Sequence, residues 1–315
     1  MGTALILPVR RRLLILLAGM GVVWPTLASA INEANLPERP TLHLGVVSER
    51  ANQPDYVLTQ YAPFLEYLRS ELDLQGIALG ELRIAGDLAQ LAQLIRTRKV
   101  DFILESMMSN FRINADRALV EPSLAAWRKG RRETRTVFFV RQSSRIQHLR
   151  DLAGKTLALE SPRSTTAYAL PKIVLRQQGM DVQLMGNGKG GPKSVRYVLA
   201  VTESNQAYWV DRGQAEAGAF NTEDWEGLPT ALRQELRIIH TTAPILRWLL
   251  SSRIGLPAAH NEAVQRVLLN MHDNPAGLQA LQQAGRIRRF DPLSADDKTS
   301  IKDWRLAAAR ARFGE

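Results

Sequence analysis

Residues 82–104 read LRIAGDLAQLAQLIRTRKVDFIL, and the change of period along this stretch decides the fold class. Residues 82–86 form a short strand pattern, and Asp87 after them suits a helix N-cap. Leu88, Leu91, Leu94 and Ile95 then fall on one helical stripe. The stripe closes in Arg96-Thr97-Arg98-Lys99, where basic side chains meet the negative end of the helix dipole. Val100 to Leu104 is again short and apolar, as a buried strand would be. Upstream, Leu42, Leu44 and Val46 alternate as a strand. Beyond a loop containing Pro54, residues Leu58, Tyr61, Leu65, Leu68 and Leu72 recur at helical spacing. Strand–helix–strand–helix–strand predicts a parallel α/β sheet.

A second unit of the same kind begins near residue 143. Leu149 to Lys155 reads as a short helix and turn leading into a strand, Thr156 to Leu159. A helix from about Thr165 to Gln178 follows, then a strand around Val182 to Met185, a glycine-rich loop, and a strand from Val195 to Val201. Next come a helix from Asn205 to Arg212 and strands at Glu216 to Phe220 and Leu236 to His240. In the last third, Val264, Val267, Leu268 and Met271 share a helical face, and Pro275 is placed to open another helix. Two α/β units imply a cleft, and ligands of such sheets sit off the strands' carboxyl ends against helix N-termini.

The first thirty residues have the layout of an export signal. Arg10-Arg11-Arg12 precedes an apolar run from Leu13 to Trp24, Pro25 ends it, and Ala28-Ser29-Ala30 supplies a small-residue cleavage site. The run is shorter than the roughly 20 residues a bilayer crossing needs, although an uncleaved anchor is the alternative. The expectation is a periplasmic protein cleaved after Ala30, with 315 − 30 = 285 residues, enough for two cores. The chain has no cysteine, which excludes a lipoprotein anchor, disulfides and thiolate chemistry. Of the net charge of +10, three units are the signal arginines, leaving +7, which suits a basic surface or an attraction to anionic solutes.

Ser161-Pro162-Arg163-Ser164-Thr165-Thr166 stands between a strand end and a helix start, the place where an anion would meet hydroxyls, free N–H groups and a positive dipole end. Ordinary N-capping explains a single such hydroxyl equally well. Glu105-Ser106-Met107-Met108 ends the third strand and faces the supposed cleft, as a polar edge or as a helix start above buried methionines. Trp127-Arg128-Lys129-Gly130-Arg131-Arg132 reads as a solvated basic turn, with Trp127 near the opening.

Other chemistries lack their settings. Gly186, Gly188 and Gly191 match G-x-G-x-x-G, but the loop runs into a strand where a dinucleotide site needs a helix. Pro192 displaces the lysine a P-loop requires. Histidines 43, 148, 240, 260 and 272 have no zinc-pair spacing, and no G-x-S-x-G elbow occurs. Glu203, Glu216, Glu223 and Asp224 offer carboxylates, but acidic residues near helix starts follow from the dipole alone. No enzyme activity, metal, cofactor or nucleic acid is expected.

Several segments, in order, resemble the phosphate/phosphite/phosphonate-binding (PhnD-like) periplasmic solute-binding proteins. They are Leu42-His43-Leu44-Gly45-Val46-Val47 with Tyr61 to Leu68, Lys99-Val100-Asp101-Phe102, Leu149 to Lys155 leading to Ser164-Thr165-Thr166-Ala167-Tyr168 and Pro171, and Ala215-Glu216-Ala217-Gly218-Ala219. Trp127, Trp209 and Val195-Arg196-Tyr197-Val198 look closer to a divergent branch of it. The resemblance implies a type 2 periplasmic binding fold. Residues 31–141 and 245–315 would form lobe one, 142–244 lobe two, and two crossing strands the hinge. It implies an anion grip by Ser164, Thr165 and Thr166. Glu105, Ser106, Asn110, Asn205 and Asn221 are expected to complete the ligand set from this chain's own residues. Where phosphonate binders tend to show G-P-x-S-Y, this chain has Ser106-Met107-Met108-Ser109-Asn110. Where they show a Ser-His-acid group, it has Glu203-Ser204-Asn205. The implied partners are a small oxyanion and an inner-membrane permease of an ABC transporter, or a sensor kinase, with the receptor itself a monomer.

Overall fold

The computed structural model describes residues 39–48, 54–186 and 191–312. The export signal and its cleavage site, and Gly188 of the glycine loop, lie outside the described residues.

Two six-stranded sheets carry the chain. The first runs Ile287–Pro292, Val120–Arg128, Trp248–Arg253, Phe102–Ser106, Leu44–Val47 and Arg83–Ala85 across its width. The second runs Asp181–Leu184, Ser194–Leu199, Thr156–Leu159, Ala217–Asn221, Thr136–Arg141 and Leu236–Thr241. Each is parallel through its βα units and antiparallel elsewhere, so the all-parallel expectation holds only for the predicted βα segments. Antiparallel pairing enters where Val120–Arg128, Thr136–Arg141, Leu236–Thr241 and Trp248–Arg253 flank the crossings, and again at the edge strand Ile287–Pro292. Glu133–Thr134 and Ile245–Leu246 make these two crossings and pair with each other, Ile245 opposite Thr134 and Leu246 opposite Glu133.

Strand alternation places the core on both faces of each sheet. In the first, Phe102 and Leu104 pack with Phe64, Leu68 and Leu268, while Ile103 faces Leu91 and Ile95. In the second, Phe138 and Val140 pack with Leu170 and Ile173, while Val137 and Phe139 face Ala207, Val210 and Leu232. Gly218 has no room for a side chain, since a Cβ there would stand 2.3 Å from the Phe139 ring. No described helix is long and apolar enough to cross a membrane.

Two segments depart from the division into 31–141 with 245–315 and 142–244. Thr136–Arg141 is hydrogen-bonded into the second sheet, because the crossing strand before it is only two residues long and carries no readable period. The C-terminal helix Ala295–Arg310 packs Trp304, Ala307 and Ala308 into the cluster that holds Leu170 and Ile173, and Trp304 Nε1 donates to Pro244 O at 3.1 Å. A second difference lies in the helix expected from Thr165 to Gln178, which opens as a wide turn, Thr165–Ala169, before the regular helix Leu170–Gln177. Pro171 has no N–H to give Ala167 O, which instead accepts from Glu160 N at 3.0 Å; Ala169 N reaches back to Ser164 O.

Candidate functional site

A cavity of about 550 Å³ opens between residues of the two sheets. From the first sheet and its helices come Val46, Ser48, Tyr56, Tyr61, Glu105, Ser106 and Arg112. Glu160 to Thr166 and Glu203 come from the second, Thr134 and Ile245 from the crossings, and Arg247 and Trp248 from the return into the first sheet. Its volume is that of an ordinary small-molecule pocket, about 300–1,000 Å³.

The hydroxyls meet here. Ser106 caps the helix Met107–Ile113, its Oγ accepting from Ser109 N at 3.1 Å and lying 2.9 Å from Ser109 Oγ. Ser164 caps the opposite turn, accepting from Ala167 N at 3.1 Å. Thr165 Oγ1 donates to Ser106 Oγ at 3.0 Å, a bond from one sheet's residues to the other's. Arg163 Nη1 makes a second such link, donating to Ser48 O at 3.4 Å. Ser164 is thus a cap, and its neighbours Thr165 and Thr166 line the cavity.

An acidic pair lies beside the hydroxyls. Burial pushes the Glu160 carboxyl up to about 7, helped by the neighbouring Glu203 carboxyl, with which it shares a hydrogen bond; the Ser164 hydroxyl opposes the rise by bonding the charged form. Asp224 is likewise raised, first by burial and then by Glu203. Near neutral pH this wall thus carries less negative charge than its three carboxyls suggest. Facing it are Arg112, Arg128, Lys129, Arg163 and Arg247, with Arg128 stacked 3.9 Å over the Trp248 ring. Among the described residues no group of three or more acidic or histidine side chains could hold a metal ion.

Of the expected ligand set, Glu105, Ser106, Ser164, Thr165 and Thr166 line the cavity. Glu105 Oε1 also accepts from Val47 N at 3.2 Å, tying two strand ends together. The three asparagines do not line it. Asn110 is buried, giving Nδ2 to Ser106 O at 2.9 Å and accepting from Ser251 Oγ at 2.7 Å. Asn205 donates to Ala200 O at 2.8 Å. Asn221 is the cap of the helix Thr222–Glu226, accepting from Asp224 N at 2.8 Å. Of the basic turn, Arg128 and Lys129 line the cavity while Trp127 gives its Nε1 to Asp291 instead; the tryptophan that lines the cavity is Trp248. Sequence reasoning missed Glu160 and Arg247 as lining residues. Glu160 had a signal, since it stands at the carboxyl end of a strand next to the hydroxyls.

The family of periplasmic substrate-binding proteins of phosphonate ABC transporters matches residues 48–298. The chain belongs to this family. Its members are transport binding proteins that work with ABC permeases, not enzymes, and act in the periplasm. The Xanthomonas citri protein XAC2383, solved bound to chloride ion and bound to ATP, is 28% identical with a TM-score of 0.76; the match covers 86% of this chain and 98% of that one. PhnD1 from Prochlorococcus marinus (MIT 9301), in complex with methylphosphonate, is 17% identical with a TM-score of 0.58, covering 87% and 99%. A binding protein component of an ABC phosphonate transporter from Pseudomonas aeruginosa is 18% identical with a TM-score of 0.56, covering 87% and 88%. The last two establish the fold as the type 2 periplasmic binding fold: two α/β lobes joined by a two-strand hinge. No curated relative matches the chain.

Proposed function

We propose that this phosphonate-transporter family member is exported to the periplasm, cleaved after Ala30, and closes its cavity on a phosphate-class oxyanion for delivery to a permease. The carrying observation is the contact of Thr165 Oγ1 with Ser106 Oγ at 3.0 Å from opposite sheets. An oxyanion among these hydroxyls accepts bonds from both sides at once, and so binds the closed form better than the open one. That differential affinity is what lets a ligand shift the hinge towards closure. Charge-assisted bonds of this kind are the strong ones, about 1.5–3 kcal/mol each. The cationic side chains around the cavity, Arg112, Arg128, Lys129 and Arg163, favour the same ligand charge.

A nucleoside polyphosphate is the second reading, favoured by the cavity's 550 Å³ and by the ATP-bound state of the 28% identical XAC2383. A thermal-shift series with orthophosphate, methylphosphonate, ATP and an alkanesulfonate tests both. A true ligand at a hundredfold excess over its dissociation constant stabilises the fold by about 2.7 kcal/mol. Stabilisation by the phosphorus oxyanions supports the first reading and by ATP alone the second; a response confined to the sulfonate counts against both.

A further inference from the structure

Arg247 follows directly on the crossing strand Ile245–Leu246 and lines the cavity at the hinge. Its side chain is nine-tenths buried, with 10% exposed, yet Nη1 makes no hydrogen bond to any described residue. The nearest carboxylate oxygen, Glu223 Oε1, is 3.2 Å away and also makes no hydrogen bond. Glu223 is divided: Arg131 Nε stands 3.4 Å from the same oxygen, and Thr134 Oγ1 donates to the other at 2.9 Å. Arg131 also pairs with Glu226 at 2.9 Å, while Arg128 lies close enough to repel Arg247. Around this corner Arg128, Lys129, Arg131 and Arg247 face Glu223, Asp224 and Glu226, and burial holds the Asp224 carboxyl towards its neutral form. Glu203 stands beside Asp224 as well, so the corner holds as many carboxyls as cations, and the one carboxylate next to Arg247 is shared with Arg131. A carboxylate shared between two guanidiniums neutralises Arg247 only in part, and an anionic group in the cavity it lines completes its pairing.

Resting on the reading that the hydroxyl cluster takes an oxyanion, we propose that Arg247 is a second anion-binding position, so that the preferred ligand carries two anionic groups, such as a diphosphate or a phosphonocarboxylate. One group bonds Ser106 and Thr165, and the other pairs with the Arg247 guanidinium. Because Arg247 adjoins the crossing strand, a two-ended ligand engages the hinge wall as well as the helix starts. A ligand with one group engages the hydroxyls alone.

Calorimetric titration of the wild-type protein and of Arg247→Gln with pyrophosphate and phosphonoacetate, against orthophosphate and methylphosphonate, tests this. The wild type should prefer the two-group probes, and the substitution should weaken those by about tenfold or more while moving the one-group probes by no more than about twofold. Equal affinity of the wild type for both classes overturns the inference whatever the variant does, which covers a variant that fails to fold. So does a two-group affinity untouched by Arg247→Gln. If one-group probes bind and Arg247→Gln changes nothing, only this inference falls. If no probe binds the wild type, the oxyanion reading falls and takes this one with it.

Discussion

Replacing Thr165 by valine tests the hydroxyl position with the least disturbance. The exchange keeps the branched shape and removes one hydroxyl, which in this structure donates to Ser106 Oγ at 3.0 Å. Ser164 would be a poorer choice, since it caps the turn through Ala167 N, and losing a cap costs about 0.5–2 kcal/mol of stability by itself. Without ligand, Thr165→Val forfeits one neutral hydrogen bond that Ser106 partly replaces through Ser109 Oγ, so the fold should lose at most about 1 kcal/mol. With an oxyanion bound, the lost bond is charge-assisted and worth about 1.5–3 kcal/mol, or about 10- to 150-fold in dissociation constant. Titration calorimetry with orthophosphate and methylphosphonate, beside unfolding curves of the ligand-free proteins, separates the two effects. Affinities within about twofold of wild type would refute the reasoning.

Two further outcomes follow from charge. Glu160, held up to about 7, is mostly neutral below that pH and becomes an anion beside Glu203 above it. Oxyanion affinity should therefore fall as pH rises from about 6 to about 8, beyond the change due to the ligand's own titration, and Glu160→Gln should remove that excess. A wild-type to variant affinity ratio constant across the range would contradict it. Asp297, held down at about 2 chiefly by its hydrogen bonds to Arg132 (Nη1 to Oδ1 at 2.7 Å), also closes the capping box of the C-terminal helix with Ser294. Its folded value lies below its unfolded one, so its contribution is complete above about pH 4 and drains away as pH falls towards about 2. Asp297→Asn should cost about 1.5–3 kcal/mol at neutral pH and flatten the loss of Tm between about pH 4 and 2; parallel Tm profiles would sink the claim.

The sequence reached far into the fold because its βα units announce themselves by period. The stripe Leu91 to Ile95 and the strand Phe102 to Leu104 lie where the pattern put them, and Asp87 caps as its position suggested, accepting from Gln90 N at 2.8 Å. The crossings were not legible, since two-residue strands carry no period, so Thr136–Arg141 was assigned to the wrong sheet. In the site, a run of three hydroxyls was conspicuous, whereas Arg247 is one arginine among many in a basic chain. What distinguishes it is burial beside a carboxylate shared with Arg131, a tertiary property that brings together residues far apart in sequence. The asparagines misled for a related reason. Asn and Asp favour caps and turns through their own backbone bonds, and Asn221 shows that use here, while Asn205 turns back on Ala200 O.

The central claim is that an oxyanion binds between the sheets, against Thr165 and Ser106. A crystal structure of the protein grown with saturating methylphosphonate measures this directly. The account predicts the phosphonate oxygens within hydrogen-bonding distance of the Thr165 and Ser106 hydroxyls, in the cavity between the two sheets. A phosphonate held elsewhere on the protein, with that cavity left vacant, would contradict it.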